Sequence, residues 1–211
     1  MKTSKKRMSP DDAWGELQEC IAGAQNRVSV LPCKREQGIA TLEHLQLSNR
    51  SYLGAIALET GGLLIDGGWL KVLGAGNSSI SGSLLTWNNP IGDALIVAYD
   101  LVGGCFALSG GTGTVQYFAP DTLAWEDLKV PYSGFIDWVL NGELALFYET
   151  FRWKEWLHDS QNIQGDQAFL LYPYLWTAEG KEVERASRKA VGVKELWEMQ
   201  LEFARLLNGQ S

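Results

Sequence analysis

The stretch Leu95–Leu128, LIVAYDLVGGCFALSGGTGTVQYFAPDTLAWEDL, constrains the fold more than any other part of the chain. Three apolar runs of strand length, ALIVAY, CFALS and TVQYFA, are separated by Asp100 to Gly104 and by Gly110 to Gly113, and Pro120-Asp121 makes a corner after the third. The glycines lie between strands and never between a strand and a helix. A phosphate loop needs backbone N–H groups converging at a helix N-terminus. Here the glycines instead supply positive φ in hairpins, so Gly103, Gly104, Gly110, Gly111 and Gly113 are expected in strand-connecting turns, at least two of them at positive φ. AWEDL follows as a short strand or turn. Upstream, LLID, Gly67-Gly68 and WLKVLG make the same hairpin signal.

Helices are expected on both sides of this block. SPDDAWGELQECIAGA opens with Ser9 as cap, Pro10 in the first turn and Asp11 and Asp12 at the positive dipole end, and it aligns Trp14, Leu17 and Ile21. NRVSVLP crosses in extended form. CKREQGIATLEHLQL reads as a helix with Ile39, Leu42 and Leu45 inward, weakened by Gly38. SYLGAIALETGG is a short helix capped by Ser51 and stopped by Gly61 in the left-handed conformation. LLTWNNP is a helical turn ended before Pro90. YSGFIDWVLNGELALFYETFRWKEWLHD is amphipathic and helical, with Phe135 and Val139 inward and an interruption at Asn141-Gly142. LLYPYLWT is extended, and VKELWEMQLEFARLLNG closes the chain with Leu196, Met199, Phe203 and Leu206 roughly aligned. Loops are expected at residues 159–166 and 178–190.

The chain has 211 residues, which fits one domain. The expected fold is α+β: a central antiparallel or mixed sheet packed by N-terminal and C-terminal helices. Residues 1–8 are expected as a disordered basic tip, residues 9–211 as the domain, and residues 143–211 as a mainly helical extension.

Net charge is −7, and Lys2, Lys5, Lys6 and Arg7 leave −11 on the remainder. An acidic body argues against nucleic acid, whose phosphates need clustered Lys and Arg, and suits a basic protein partner. Cys20, Cys33 and Cys105 have no paired spacing, and with two histidines they make no zinc pattern. An odd, sparse count suits a reducing compartment, so the protein is expected in the cytoplasm and the three as free thiols. No apolar run reaches the ~18 residues of a membrane helix, and the basic start lacks a following apolar segment.

Catalytic motifs are weak. GAGNSS from Gly74 is half a dinucleotide fingerprint without the third glycine or the helix. No Gly-x-Ser-x-Gly occurs, and His44 and His158 stand in no triad pattern. No catalytic residue, metal site or cofactor is expected. Asp66, Asp93, Asp100 and Asp121 all sit at strand ends, where turn acceptance explains them; alternatively they line one rim of the sheet. Trp69, Trp87, Tyr99, Trp125 and Trp138 read mainly as core, with exposed members marking a binding face. The candidate partner-binding residues are therefore Asp66, Trp69, Trp87, Asp100 and Asp121. Arg152 stands beside Trp153 and near Trp156 in RWKEW, a segment expected to pack against the sheet.

From about Leu31 to Gly142 the order of pieces resembles the Smi1/Knr4 (SUKH) fold: a helix near a Leu-Pro, a short helix ending in Gly-Gly, the LIVAYDLVGGCFALS strands with their glycine turn, TVQYFAPD, and the helix YSGFIDWVLNG. Nearly the whole chain, through LGAIALETGGLLIDGGWLKVLGAG, GGCFALSGG, YFAPDTLAWEDL and FYETFRWKEW, is similar to a bacterial family catalogued as domain of unknown function 2625. The second resemblance implies a bacterial, cytoplasmic protein and transfers no catalytic residue. The first implies a non-enzymatic interaction module of immunity or regulatory type, since many relatives of that type bind and neutralise toxins. The alternative is a small hydrolase using strand-end carboxylates. Oligomeric state is left open, a dimer being compatible.

Overall fold

The computed structural model describes residues 13–209. The basic tip and the cap and dipole residues Ser9 to Asp12 lie outside the described residues. The elements are α1 (Ala13–Ala22), β1 (Val28–Leu31), α2 (Arg35–His44), α3 (Tyr52–Glu59), β2 (Gly62–Ile65), β3 (Leu70–Leu73), α4 (Leu84–Trp87), β4 (Ala94–Asp100), β5 (Cys105–Ser109), β6 (Val115–Ala119), β7 (Ala124–Asp127), α5 (Tyr132–Asn141), α6 (Leu144–Phe147), α7 (Trp156–Asn162), β8 (Gln167–Tyr172), β9 (Ser187–Gly192) and α8 (Val193–Asn208).

Strands β1 to β7 form one sheet in chain order, with every neighbouring pair antiparallel. The fold is α+β, and its pairings leave no mixed sheet. The glycine turns make this order. Gly103 has φ 94° and Gly113 φ 69°, both sit between strands, and no helix follows either cluster. The β2–β3 turn takes Asp66, Gly67 and Gly68 through φ 49°, 68° and 93°.

Register assigns the two faces. Leu63, Val72, Ala98, Phe106 and Tyr117 form one cross-strand row. Phe106 lies 5.0 Å from Phe135 and 6.2 Å from Trp138 of α5, and Tyr117 lies 5.2 Å from Phe147 of α6. The adjacent row, Leu64, Lys71, Tyr99, Cys105, Phe118 and Trp125, points the other way. There Trp87 of α4 stacks on Tyr99 at 5.5 Å, and Trp197 of α8 meets Phe118 edge-on at 4.9 Å. The sheet is thus covered by helices on both faces, and burial of Phe106, Phe118, Phe135, Leu17 and Ile56 at 0–1% exposure makes the core.

Several expectations are corrected. Ile39 is 41% exposed, and the inward face of α2 is Gly38 and Thr41. A Cβ at Gly38 would stand 2.1 Å from the Leu58 carbonyl oxygen, so α2 and α3 meet backbone to backbone rather than through an apolar stripe. Gly61 is no left-handed stop: α3 ends in Thr60 with extended backbone, and φ becomes 140° only at Gly62. Gly61 is small because a Cβ there would lie 2.7 Å from Pro32 O and 2.8 Å from Gly76 O. Leu206 is exposed. The C-terminal part is less helical than expected, because β8 and β9 form an antiparallel hairpin within it. Helix α7 begins before residue 159 and ends at 162, and β9 occupies the end of the expected 178–190 loop.

Candidate functional site

Strands β2, β4 and β6 run in one direction, so Asp66, Asp100 and Asp121, at or just after their ends, share a rim, while Asp93 precedes β4 at the opposite rim. The C-terminal part builds over the shared rim. Asp100 is completely buried: its Oδ1 accepts from Val102 N at 3.0 Å and Gly104 N at 2.8 Å, and its Oδ2 accepts from Tyr117 Oη at 2.9 Å. Burial pushes the carboxyl above the usual carboxylate range, and those three hydrogen bonds pull it back. Gln200 of α8 donates to Val102 O at 3.2 Å, and Phe169 N of β8 donates to Leu101 O at 2.7 Å, so the β4–β5 turn anchors the C-terminal elements.

Asp66 accepts a 2.9 Å charge-assisted bond from Arg152 Nη2. The guanidinium lies 3.8 Å from the Trp156 ring centroid, 5.0 Å from Tyr148 and 5.2 Å from Trp69. Trp69 is fully buried, edge-on to Tyr148, Trp153 and Trp156. Asp66 and Trp69 are therefore brought together, and Asp100 lies beside them: it is the cross-strand partner of Leu70, and Leu101 N donates to Trp69 O at 3.0 Å; all three join the sheet to the C-terminal part. Trp69 and Asp100, having no exposed surface, are withdrawn as partner-binding residues. Trp87 is half-buried, with its Nε1 donating to Ser81 O at 2.6 Å and Lys194 Nζ 5.7 Å over its ring. Asp121 is half-buried beside Glu149 and Lys181 in a cleft of about 280 Å³. None of the four clefts described among these residues gathers two of the four strand-end aspartates.

At the far side of the sheet, β7 is an edge strand with all four residues exposed, and Trp125 is 41% exposed although its ring touches Phe118 and Trp197. Glu126 and Asp127 put two carboxylates on this edge.

A different cluster escapes sequence reasoning. Ser29, Leu64 and Lys71 are successive cross-strand partners on β1, β2 and β3, and together they line a cleft of about 330 Å³. Its walls are the β2–β3 turn glycines, Ser78 and Ser79, and Ser160 to Gly165. Lys71 is 3% exposed, and its Nζ donates to Gly165 O at 2.9 Å. Burial pushes this ammonium down to about 8, with Asp166 pulling weakly the other way. The available signal was one lysine inside the apolar run WLKVLG, which also reads as a side chain reaching out to solvent. A second, wider cleft of about 670 Å³ lies beside GAGNSS. There Asn77 Nδ2 donates to Pro32 O at 2.9 Å and its Oδ1 accepts from Ser79 N at 3.0 Å, so the asparagine ties its own loop. The three cysteines are free thiols. Among the described residues no helix is long and apolar enough to cross a membrane, and no group of three or more His, Cys, Asp or Glu could hold a metal ion.

The chain belongs to the family described as protein of unknown function DUF2625, which matches residues 6–196. It is 39% identical over 202 residues to the uncharacterized protein YbfG of Escherichia coli strain K12, covering 92% of each chain. It is 33% identical over 210 residues to an uncharacterized protein of Haemophilus influenzae strain ATCC 51907, covering 92% of this chain and 91% of the other. No solved structure matches it.

Proposed function

We propose that the chain is a non-enzymatic protein-interaction module of immunity or regulatory type, acting in the cytoplasm on a basic protein partner. The observation that carries this reading is the β7 edge: an exposed strand bearing Trp125, Glu126 and Asp127 at the end of a seven-stranded sheet. An edge strand offers unpaired N–H and C=O groups to an extended segment of another protein. Its two acids disfavour pairing with a second copy of itself and favour lysine- or arginine-bearing strands, and the acidic body steers such a partner. Trp125 supplies an aromatic anchor. The resemblance to the Smi1/Knr4 type points to the same class of role. The hydrolase reading is the alternative: it calls for a cleft with paired carboxylates, and among the described residues none of the four clefts holds two of the strand-end aspartates.

The test is site-specific photo-crosslinking of the full chain in its host. A crosslinker at position 124 should capture a basic protein, a control at position 39 should not, and Glu126→Lys with Asp127→Lys should abolish capture. Purified partner should associate more slowly as salt rises. Capture that is equal at both positions and indifferent to the reversals overturns the reading.

A further inference from the structure

We propose that the cleft over Lys71 is a binding site for a small organic anion whose carboxylate or phosphate group pairs with the lysine ammonium. This site lies on β1 to β3, and its residues are distinct from those of the β7 edge.

Four observations carry the assignment. First, Lys71 is held inside the protein with its charge incompletely matched. An ammonium has three N–H donors, and one of them goes to Gly165 O. Among the described residues no carboxylate stands within ion-pair distance of it, and Asp166 acts from farther off. A buried cation is costly unless paired, so an arriving anion gains an interaction that the free protein lacks.

Second, the lining has the polarity that an anion requires. Ser29, Ser78, Ser79, Ser160 and Gln161 bring hydroxyl and amide groups to the cleft, and no Asp or Glu lines it. That is notable in a chain of net charge −7. Among the described residues, the hydroxyls of Ser29 and Ser78 are spent on no hydrogen bond, whereas Ser160 donates to Leu157 O at 2.9 Å.

Third, the cleft is built from closely fitted backbone. A Cβ at Gly165 would stand 2.3 Å from Ser78 O, and one at Gly67 would stand 2.8 Å from Leu157 Cδ1. The wall from α7 to Gly165 is thereby seated directly on the 78–79 loop and on the β2–β3 turn. The floor is a row of paired strands. Such a frame holds the ammonium in place before a ligand arrives, which lowers the entropy lost on binding.

Fourth, the volume of about 330 Å³ lies at the small end of the range for small-molecule sites, which suits a compact metabolite rather than a polymer or a dinucleotide. A purely structural lysine, serving only to hold the 163–165 loop through Gly165 O, would need neither the cleft nor the acid-free lining.

The experiment uses the full chain with [13Cε]lysine labelling and two arms of probes: inorganic phosphate and phenyl phosphate in one, succinate and benzoate in the other. The Lys71 resonance is assigned with Lys71→Arg. The expected result is a saturable shift of that resonance in at least one arm, the responding arm identifying phosphate or carboxylate as the recognised group. Calorimetry on the responding probe should show affinity falling about tenfold or more in Lys71→Met, the loss of one charge-assisted contact. Ser78→Ala should weaken binding by less, and the exposed control Lys129→Met should leave it unchanged. A Lys71 resonance that stays still up to about 10 mM of every probe overturns the proposal, as does undiminished binding by folded Lys71→Met. If Lys71→Met does not fold, the wild-type titration decides alone, saturable shift for the proposal and none against it.

Discussion

Arg152 and Asp66 lie 86 residues apart in the chain and meet at 2.9 Å, with the guanidinium laid over the Trp156 ring. This pair fixes the β2–β3 turn to the segment between α6 and α7. The Arg152 side chain is 7% exposed and that of Asp66 18%, so removal of the acid strands a buried cation. Asp66→Ala should lower stability by about 3 kcal/mol. Adding Arg152→Met should restore part of that loss, because the charge then goes with its partner. Urea midpoints at constant slope, run as a double-mutant cycle, measure both.

Asp100 makes a second prediction. Asp100→Ala leaves Val102 N, Gly104 N and Tyr117 Oη without their acceptor, and should lower stability by about 3 kcal/mol or more. Asp100→Asn keeps an acceptor and removes the charge. Burial raises the folded pKa above the unfolded value near 3.8. The folded state then binds the extra proton, so this stabilisation is present at low pH and is lost as pH rises through the folded value. Stability of Asp100→Asn relative to the native chain should therefore grow with pH across that window. A difference that stays flat from about pH 3.5 upward contradicts it.

Lys71 has the opposite signature. Its folded pKa, about 8, lies below the ordinary 10.5, so the unfolded chain holds the proton more tightly between those values. Stability should climb between about pH 8 and pH 10.5, and Lys71→Met should remove that climb. At neutral pH, Lys71→Met should be neutral to stabilising, since it removes a desolvated charge. The measurement is the urea midpoint of both proteins at a series of pH values. A native protein retaining a costly lysine fits the usual trade of stability for function.

Two glycine substitutions separate crowding from backbone strain. Gly38→Ala in a helix would ordinarily stabilise by about 1 kcal/mol. Here the new Cβ meets Leu58 O at 2.1 Å, so the sign should invert, with a loss of several kcal/mol or failure to fold. Gly113→Ala meets nothing within 4 Å but keeps φ 69°, and should lose only about 1–2 kcal/mol. Thermal unfolding of both, beside the native chain, ranks them.

The sheet from β4 to β7 was legible because its turns need glycine at positive φ, and glycines mark such turns directly. Ser51 was legible for a similar reason: its Oγ accepts from Gly54 N at 3.1 Å. The inward face of α2 was not, because a periodicity argument counts side chains and the contact at Gly38 consists of having none. Strand β9, SRKAVG, hid because a largely exposed ribbon carries no apolar alternation. Asp100 reads as a rim residue because strand ends usually meet solvent, and Trp69 reads as core or as a binding face; nothing local reveals that α8, β8 and the 148–156 segment close over both. Lys71 was missed for the converse reason: burial of one long cation in a strand depends on loops about 94 residues away.

The strictly sequential strand order bears on how the chain reaches its native state. Each strand of the large sheet pairs with its immediate predecessor; short turns join β2 to β3 and β4 to β7, while α2 and α3 intervene between β1 and β2 and α4 between β3 and β4, so the sheet can grow strand by strand as the polypeptide leaves the ribosome. Among the longer-range contacts are those made by Arg152, Phe169 and Gln200 with the turns after β2 and β4. Those contacts form only when synthesis is nearly finished. The turns after β2 and β4 therefore wait longest for their partners, and a stop codon ahead of α8 leaves the β4–β5 turn without the Gln200 bond to Val102 O.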